Sequence, residues 1–172
     1  MRTPSLIELP PEEGKWIDID ITRQILTLWQ GRTSGLSWSV STGKAGTGQQ
    51  NGSGQTPLGW HYVRAAIGSE APPDAVFRGR RWTGEIYSSA LSEQYPARDW
   101  ILTRILWLCG LERGFNRGGV VDSQRRYIYI HGTPSTEPMG KPLSHGCIRL
   151  ERQALLDVFA FAIPGTPVWI HL

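Results

Sequence analysis

Residues 130–150 read Ile130-His-Gly-Thr-Pro-Ser-Thr-Glu-Pro-Met-Gly-Lys-Pro-Leu-Ser-His-Gly-Cys-Ile-Arg-Leu150. This stretch begins at the end of Arg126-Tyr-Ile-Tyr-Ile-His131, whose aromatic and β-branched residues predict a strand. A loop of about a dozen residues, rich in Pro and Gly, follows His131. The turn Ser144-His-Gly-Cys147 comes next and is expected to lead into a helix from residue 151. The pattern therefore predicts that a strand and a turn present His131 and Cys147 to one site.

The residue types of this stretch favour nucleophilic catalysis. A thiol such as Cys147 becomes a useful nucleophile when a nearby base or a positive field produces the thiolate. His131 and His145 are both candidate bases, and spacing alone does not choose between them. The backbone N–H groups at Cys147 and at Gly146 or His145 could bind an oxyanion, and a helix start just after them would add a favourable field. Gly146 would allow close approach of a substrate carbonyl.

Two other interpretations of the same residues stay open. Cys147 could be a small buried apolar residue, although Ser-His-Gly is a poor apolar context. His131, His145 and Cys147 could also bind zinc, since imidazole and thiolate are its usual ligands, but no further Cys or carboxylate lies at ligand spacing. A Cys/His acyl-transfer enzyme is the interpretation that the chemistry favours.

The rest of the chain predicts one β-rich domain. Period-two alternation predicts a hairpin from 16–21 and 24–29 that turns near Thr22 and Arg23. Further strands are expected at 36–41, 58–67, 82–87 and 168–172. The apolar segments 99–112 and 151–162 predict two short helices. The sequence has no repeat and no long linker, which favours a mainly β single domain with two short helices.

Composition narrows the function classes. The chain has 172 residues, 20 Gly and 12 Pro without a period, and a net charge of +3 without any basic block, so collagen and a nucleic-acid tail are not supported. Cys109 lies in an apolar segment and is expected to be buried and unreactive, with both cysteines reduced. The start of the chain does not resemble a signal peptide, which predicts a cytoplasmic protein. A periplasmic location is the alternative if the natural protein carries a leader that this chain lacks.

The stretch from 130 to 150 resembles the active-site signature of the L,D-transpeptidase (YkuD-type) catalytic domain family, in which a His and a variable loop precede Ser/Thr-His-Gly-Cys, a hydrophobic residue and Arg or Asn. The matching residues are His131, Ser144, His145, Gly146, Cys147, Ile148 and Arg149. Segments around 17–28, 41–44 and 56–60 resemble the family's opening strands, so the resemblance covers about 14–170. It implies an L,D-transpeptidase-like β-sandwich domain over 14–172, preceded by an N-terminal segment at 1–13. The region 68–118 carries no motif of the family.

The resemblance also implies roles for the residues. Cys147 would attack the L,D bond between a diamino acid and D-Ala in a peptidoglycan tetrapeptide stem, with His131 as the base, oriented by a backbone carbonyl. Ser144 and His145 would shape the site, and the Gly146 and Cys147 amides would hold the oxyanion. Arg149 would bind a substrate carboxylate or brace the turn. Trp60 and Tyr129 are further candidates for substrate binding.

The implied functions are the following. The leading hypothesis is an L,D-carboxypeptidase that trims muropeptides during recycling, acting as a monomer on peptidoglycan stems without metal or organic cofactor. The alternatives are a periplasmic L,D-transpeptidase that crosslinks peptidoglycan through the same acyl-enzyme, and a non-catalytic peptidoglycan-binding module. No nucleic-acid partner and no membrane span are expected.

Overall fold

Ten strands in one hydrogen-bonded sheet, together with two helices, build the fold in the computed structural model, which describes all residues 1–172. The strands are β1 (Lys15–Asp20), β2 (Ile25–Gln30), β3 (Thr33–Ser39), β4 (Gly59–Ile67), β5 (Ala75–Arg78), β6 (Arg81–Ile86), β7 (Ile101–Gly110), β8 (Tyr129–Gly132), β9 (Ile148–Leu150) and β10 (Pro167–His171). The helices are α1 (Ser89–Gln94) and α2 (Arg152–Phe161). The prediction of a mainly β domain with two short helices is confirmed.

The sheet is curved so that the segment after β3, at one end of the sheet, meets β9. Its main order is β3-β2-β1-β10-β4-β7-β5-β6, and β8 pairs with both β7 and β9. The pairs β1/β10 and β8/β9 are parallel, and the other strand pairs are antiparallel. Ser41, just after β3, and Arg149 in β9 exchange two backbone hydrogen bonds of 3.0 and 2.8 Å. The two layers of the expected sandwich therefore belong to one continuous sheet around one core.

The core lies on the inner face of this sheet. In β1, Ile17 and Ile19 are fully buried, whereas the intervening Asp18 is on the opposite face, as the period of two requires. Helix α2 adds Leu155 and Val158 to the same core. Each such side chain contributes roughly 1.5–3 kcal/mol when removed from water. This packing fixes the positions of β8 and β9, which carry the candidate site.

The helix predicted for 99–112 is wrong, because this segment is the central strand β7. It pairs with β4 and β5 on one side and with β8 on the other. All its residues except Ile101 and Trp107 are buried, so both faces are covered. A strand that is buried on both faces has a continuous apolar run, which periodicity alone does not distinguish from a helix. The second short helix is instead α1, in the region without family motifs.

The other predicted elements are confirmed at nearly the expected places. The first hairpin is β1–β2, the strongest predicted strand ends in β8, and the helix at 151–162 is α2. The N-terminal segment 1–13 contains only a short 3-10 turn at Leu6–Glu8. Within this segment, Leu9 packs against Tyr62 and the buried, free Cys109 on the outer face of the sheet. Neither helix is long and apolar enough to cross a membrane.

His61 is a structural histidine. It is fully buried, with Nδ1 2.9 Å from the Gly59 carbonyl and Nε2 2.9 Å from the Ser123 hydroxyl. Burial lowers its pKa from 6.5 to about 4. Between these values the unfolded chain binds a proton at this residue and the folded chain does not, so stability falls as the pH decreases.

We expect this histidine to contribute about 3 kcal/mol of acid destabilisation between pH 7 and pH 4. Urea unfolding of the wild type and of His61→Gln at the two pH values measures the contribution. The loss of free energy of unfolding on acidification should be smaller in His61→Gln by about that amount, whatever its stability at pH 7. An equal loss in both proteins would contradict the prediction.

Candidate active site

The parallel pair β8/β9 brings His131 and Cys147 to the same face of the sheet. In its register, His131 lies opposite Arg149, so Cys147, immediately before β9, lies beside Tyr129. Because side chains alternate along a strand, these four residues face the same side, away from the main core. The strand rise and spacing put the Cα atoms of His131 and Cys147 about 8 Å apart. The sequence prediction that the two residues share one site therefore agrees with the topology.

His131 is held as a base by its own strand. Its side chain is buried, and Nδ1 lies 2.7 Å from the Gly132 carbonyl oxygen. An N–H at Nδ1 donates to this carbonyl, which leaves the lone pair on Nε2. Burial lowers the pKa of His131 below its ordinary value, although the nearby Asp99 carboxylate opposes the shift. The imidazole is therefore neutral at neutral pH and can accept a proton.

Cys147 is half-buried and protonated in the free protein. Its sulfur accepts from the Tyr129 N–H and donates to the Tyr127 carbonyl oxygen, each at 3.4 Å, rather than bonding to His131. Burial raises the pKa of the thiol to about 11, with the Tyr129 N–H opposing the shift. The resting pair is therefore a neutral thiol and a neutral imidazole. The thiolate has to form when His131 accepts the proton in the presence of substrate.

The helix field expected at Cys147 is absent from the structure. Strand β9 lies between Cys147 and α2, whose first residue is Arg152. The influence of a helix N-terminus is confined to its first turn, and Cys147 lies outside that turn. This difference agrees with the direction of the thiol pKa, which is raised rather than lowered.

The protonated thiol predicts slow alkylation at neutral pH. Only the thiolate reacts with iodoacetamide, so the rate at Cys147 should rise about tenfold per pH unit from pH 7 towards pH 10, without a plateau below pH 10. Mass spectrometry of the peptide that carries Cys147 measures this rate. The Cys147→Ala variant reports any background labelling of Cys109. A rate that is already maximal at pH 7 would mean a preformed thiolate and would contradict the prediction.

The turn before Cys147 is organised by Ser144. The Ser144 hydroxyl donates to the Cys147 carbonyl at 2.5 Å and accepts from the Gly146 N–H at 3.1 Å. The Gly146 amide is thus engaged within the turn, which corrects the expectation that it would bind the oxyanion. The amides of Cys147 and His145 have no protein acceptor. These two N–H groups are the candidates for polarising a substrate carbonyl.

The glycine-rich loop at 42–54, together with Gln55 and Thr56, packs against this turn. Thr56 accepts a hydrogen bond from the Gly43 N–H at 2.8 Å and donates to the Gly146 carbonyl at 2.9 Å. Gly146 has a φ of +119°, and a Cβ there would lie 3.0 Å from the Gln55 carbonyl oxygen. A side chain is therefore excluded by both backbone conformation and space. The requirement for glycine comes from this loop rather than from substrate.

Arg149 is positioned to brace the site. Its side chain is 8% exposed, with Nη2 2.8 Å from Asp99 and Nη1 3.6 Å from Glu137. Nη1 also lies 3.4 Å from the Leu143 carbonyl. A guanidinium that is buried and paired with two carboxylates has little left for a ligand. Of the two roles that the sequence left open, the geometry favours bracing over binding of a substrate carboxylate.

Asp99 is a site residue that the sequence did not indicate. It lies in the loop before β7 and contacts Arg149 through Oδ1 and His145 through Oδ2, at 2.8 and 3.2 Å. Burial acts to raise its pKa, but His131, Arg149 and His145 outweigh this effect and lower it. The Asp99 carboxylate is therefore ionised at neutral pH. No local motif marks this residue, because it precedes the histidine signature by more than thirty positions and is brought there only by β7.

His145 differs from His131 in every respect that matters for a base. Its side chain is 78% exposed, and its one hydrogen-bonded contact is the Asp99 carboxylate. A solvated imidazole has no fixed tautomer and no fixed direction towards the thiol. The assignment of His131 as the base stays a prediction, and the burial and orientation of its ring support it.

Trp60 does not belong to this site. Its ring packs against Trp16 and Trp169, with centroids 5.8 and 4.9 Å apart. Its carbonyl accepts a hydrogen bond from the Leu111 N–H. Leu111 lies four residues beyond Trp107, the residue of β7 that pairs with Tyr129. Four residues of strand correspond to about 13 Å. Trp60 instead belongs to an aromatic cluster on the sheet.

Tyr129, the other predicted binding residue, does lie at the site. It is buried, its N–H contacts the Cys147 sulfur, and its hydroxyl accepts from Arg80 at 3.1 Å.

No three His, Cys, Asp or Glu side chains of the chain come together in a group that could hold a metal ion. His131, His145 and Cys147 therefore do not form the zinc site that the sequence left open.

Two grooves flank the segment 95–99 beside these residues. The larger, of about 870 Å³, runs along the β5–β6 hairpin and includes Phe77, Glu85 and Asp99. The smaller, of about 230 Å³, includes Thr133, Glu137 and Arg149 in addition to Asp99. The larger has room for several residues of a peptide.

Several solved L,D-transpeptidases have the same fold as this chain. An Enterococcus faecium L,D-transpeptidase superposes with a TM-score of 0.56 at 16% identity, over 92% of this chain and 50% of that one. The enzyme from Xylanimonas cellulosilytica gives 0.53 at 22% identity, over 99% and 64%. L,D-transpeptidase 3 from Mycobacterium tuberculosis, solved with a faropenem-derived adduct, gives 0.56 at 15% identity, over 92% and 60%. The chain thus spans one half to just under two thirds of the length of these proteins.

Sequence comparison identifies the family more specifically than these structural similarities do. No curated protein matches the chain significantly. The family profile of the L,D-transpeptidase catalytic domain, YkuD, matches residues 14–170. This range contains β1 to β9, all of β10 except His171, and every residue of the site described above. The chain belongs to the L,D-transpeptidase (YkuD) catalytic domain family, which is a family of enzymes.

Proposed function

We propose that the protein is an L,D-carboxypeptidase that hydrolyses the bond between the diamino acid and D-Ala in peptidoglycan tetrapeptide stems. The observation that carries the proposal is the arrangement of Cys147 and His131 on neighbouring parallel strands, with the His131 ring fixed by the Gly132 carbonyl. A neutral base beside a thiol is the pairing that acyl transfer through cysteine requires.

The reaction would proceed through a thioester on Cys147. His131 accepts the thiol proton at Nε2 while the sulfur attacks the carbonyl carbon of the diamino acid. The Cys147 N–H, with that of His145, donates to the carbonyl oxygen as negative charge develops there. His131 then returns the proton to the leaving nitrogen, and D-Ala departs. In the second half, His131 removes a proton from water, the hydroxide forms the new carboxyl group of the tripeptide, and the thiol is regenerated.

The charge pattern around the site supports water as the acceptor. A crosslinking reaction needs a second stem whose amine reaches the thioester, and an amine is mostly cationic at neutral pH and loses its proton only when it attacks. The nearby carboxylates already have cationic or basic partners: Asp99 with Arg149 and His145, and Glu85 with Arg98. Glu137 lies within 3.6 Å of the same Arg149. No free carboxylate is left there to attract a second, amine-bearing stem.

Product analysis tests the proposal. The protein is incubated with a disaccharide-tetrapeptide, with and without a second stem as amine acceptor, and the products are identified by mass. Disaccharide-tripeptide and free D-Ala in both incubations support the proposal. Abundant crosslinked dimer would instead indicate an L,D-transpeptidase. Binding without any product would indicate a non-catalytic peptidoglycan-binding module.

We also propose that this activity serves muropeptide recycling in the cytoplasm, where single stems rather than polymeric strands would be the substrate. Fractionation of cells that express the native, untagged protein tests the location. Recovery with cytoplasmic markers is expected, and recovery with periplasmic markers would favour the crosslinking alternative.

A further inference from the structure

The tip of the β5–β6 hairpin carries an arginine in an unfavourable backbone conformation. The two turn residues, Gly79 and Arg80, have φ values of +55° and +64°. Two-residue hairpins of this kind prefer Asn, Asp or Gly at both positions, because other side chains are strained at positive φ. Strain of this kind is found preferentially at functional sites, which directs attention to what the Arg80 side chain does.

The Arg80 side chain folds back over the walls of the active site. Its guanidinium lies 4.6 Å from the ring centre of Trp107 and 4.8 Å from that of Tyr127. Nη1 donates to the Tyr129 hydroxyl at 3.1 Å. The backbone groups of Tyr127 and Tyr129 are the two that hold the Cys147 sulfur. The guanidinium is therefore supported by the same two residues that hold the nucleophile.

Arg80 has neither an anionic partner nor a backbone carbonyl acceptor. Arg98, Arg149 and Arg152 each form an ion pair with a carboxylate. Arg126 donates to the Gly48 and Gln55 carbonyls. Arg80 is half-buried and makes one hydrogen bond, to a phenol, so most of its N–H groups have no protein acceptor. A cation taken partly out of water without a partner is costly, and a ligand anion would offset that cost.

We propose that Arg80 is a specificity residue that binds a carboxylate of the substrate beside the scissile bond. The aromatic rings hold the guanidinium plane and leave its edge free to form the two-pronged hydrogen bond that carboxylates accept. The inference rests on the proposed function, because a stem tetrapeptide offers two such groups near this bond. One is the C-terminal carboxylate of D-Ala and the other is the side-chain carboxylate that the diamino acid carries when it is diaminopimelate. A stacked arginine that only holds the hairpin in place is the competing explanation.

Binding of intact substrate to the Cys147→Ala protein tests the inference independently of turnover. Calorimetry measures the Kd of three tetrapeptides: the free acid, the C-terminal amide and the side-chain amide of the diamino acid. Each Kd is measured for four proteins that all carry Cys147→Ala. They are the protein with Arg80 unchanged, Arg80→Gln, Arg80→Lys and the matched control Arg81→Gln. Arg81 is exposed, adjacent in the chain and without an ion-pair partner. Thermal unfolding of each variant confirms that it is folded.

The effects on Kd of replacing Arg80 and of amidating one carboxylate are expected to be non-additive. Arg80→Gln should weaken binding of the free acid by about 10- to 100-fold, Arg80→Lys by less, and Arg81→Gln by no more than about twofold. One of the two amides should bind the Arg80 protein about as weakly as the free acid binds Arg80→Gln, and should lose nothing further from that substitution. That amide identifies the carboxylate.

Three results would overturn the inference: an unchanged Kd in Arg80→Gln, an equal loss for all three peptides, or no peptide binding to the Arg80 protein. An equal loss is what a purely structural role of Arg80 predicts. The proposed function is judged separately, by whether the protein with Cys147 intact releases D-Ala. A catalytically active protein with an additive Arg80 effect would thus retain the proposed function and lose only this assignment.

Discussion

Replacing Cys147 with alanine is expected to lower the rate of tetrapeptide cleavage by at least ~10⁴-fold, because the only proposed nucleophile is removed. The thioester cannot form without the sulfur. The amides of Cys147 and His145, which the proposal assigns to the oxyanion, stay in place, so a small residual rate from polarisation of the carbonyl is the most that should remain. The substitution removes one half-buried atom and leaves the Ser144 hydrogen bonds of the turn intact, so the loss should not come from unfolding.

Steady-state release of D-Ala measures the effect, and the chain provides a matched control. Cys109→Ala removes the other free cysteine, which is buried on β7 away from the site, and should retain activity wherever the variant is folded. A second readout is the intact mass after exposure to a carbapenem, which should increase for the wild type and for Cys109→Ala but not for Cys147→Ala. Sustained turnover in Cys147→Ala would remove the proposed mechanism altogether.

Replacing His131 with glutamine is expected to lower the rate by about 10²- to 10⁴-fold, the usual contribution of a general base. The effect should be large because the resting thiol is protonated, with a pKa of about 11, and has no other fixed base beside it. Glutamine retains a polar side chain in the buried position but does not accept a proton at neutral pH. The change should therefore lie in kcat rather than in substrate affinity.

The contrast with His145 makes this test specific. His145→Gln changes the same residue type two positions before the nucleophile, but the ring is mostly in solvent and contacts Asp99. Its rate should stay within about tenfold of the wild type. At high pH, where the thiol ionises without help, the deficit of His131→Gln should become smaller. A larger loss in His145→Gln than in His131→Gln would reverse the assignment of the base.

The residues of the signature were predictable from sequence because they are local. His131 and Cys147 lie at the two ends of one recognisable stretch, and the strand before it was evident from its aromatic and β-branched residues. The parallel pairing of β8 with β9, which brings the two side chains to one face, follows from the topology and has no sequence signal of its own. The family resemblance supplied what local patterning lacked.

The parts that were missed depend on distant contacts. Strand β7 was mistaken for a helix because burial on both faces hides its period of two. Asp99 and Arg80 reach the site only through β7 and the β5–β6 hairpin, in the region where no family motif was found. That Trp60 lies away from the nucleophile is not evident from sequence, which does not tell which part of a large sheet carries the site. The hydrogen bond from the Gly146 N–H to Ser144 is visible only in three dimensions, so sequence does not show that this amide is unavailable to the oxyanion.

Cleavage of a stem tetrapeptide in ¹⁸O-labelled water, with a second stem present as acceptor, tests whether Cys147 passes the tripeptidyl group to water. We predict that wild-type protein produces tripeptide with one ¹⁸O atom in its new terminal carboxyl group, together with unlabelled D-Ala, and that Cys147→Ala produces neither. A tripeptidyl group transferred to the acceptor amine without ¹⁸O, or no release of D-Ala from the wild type, would contradict this prediction.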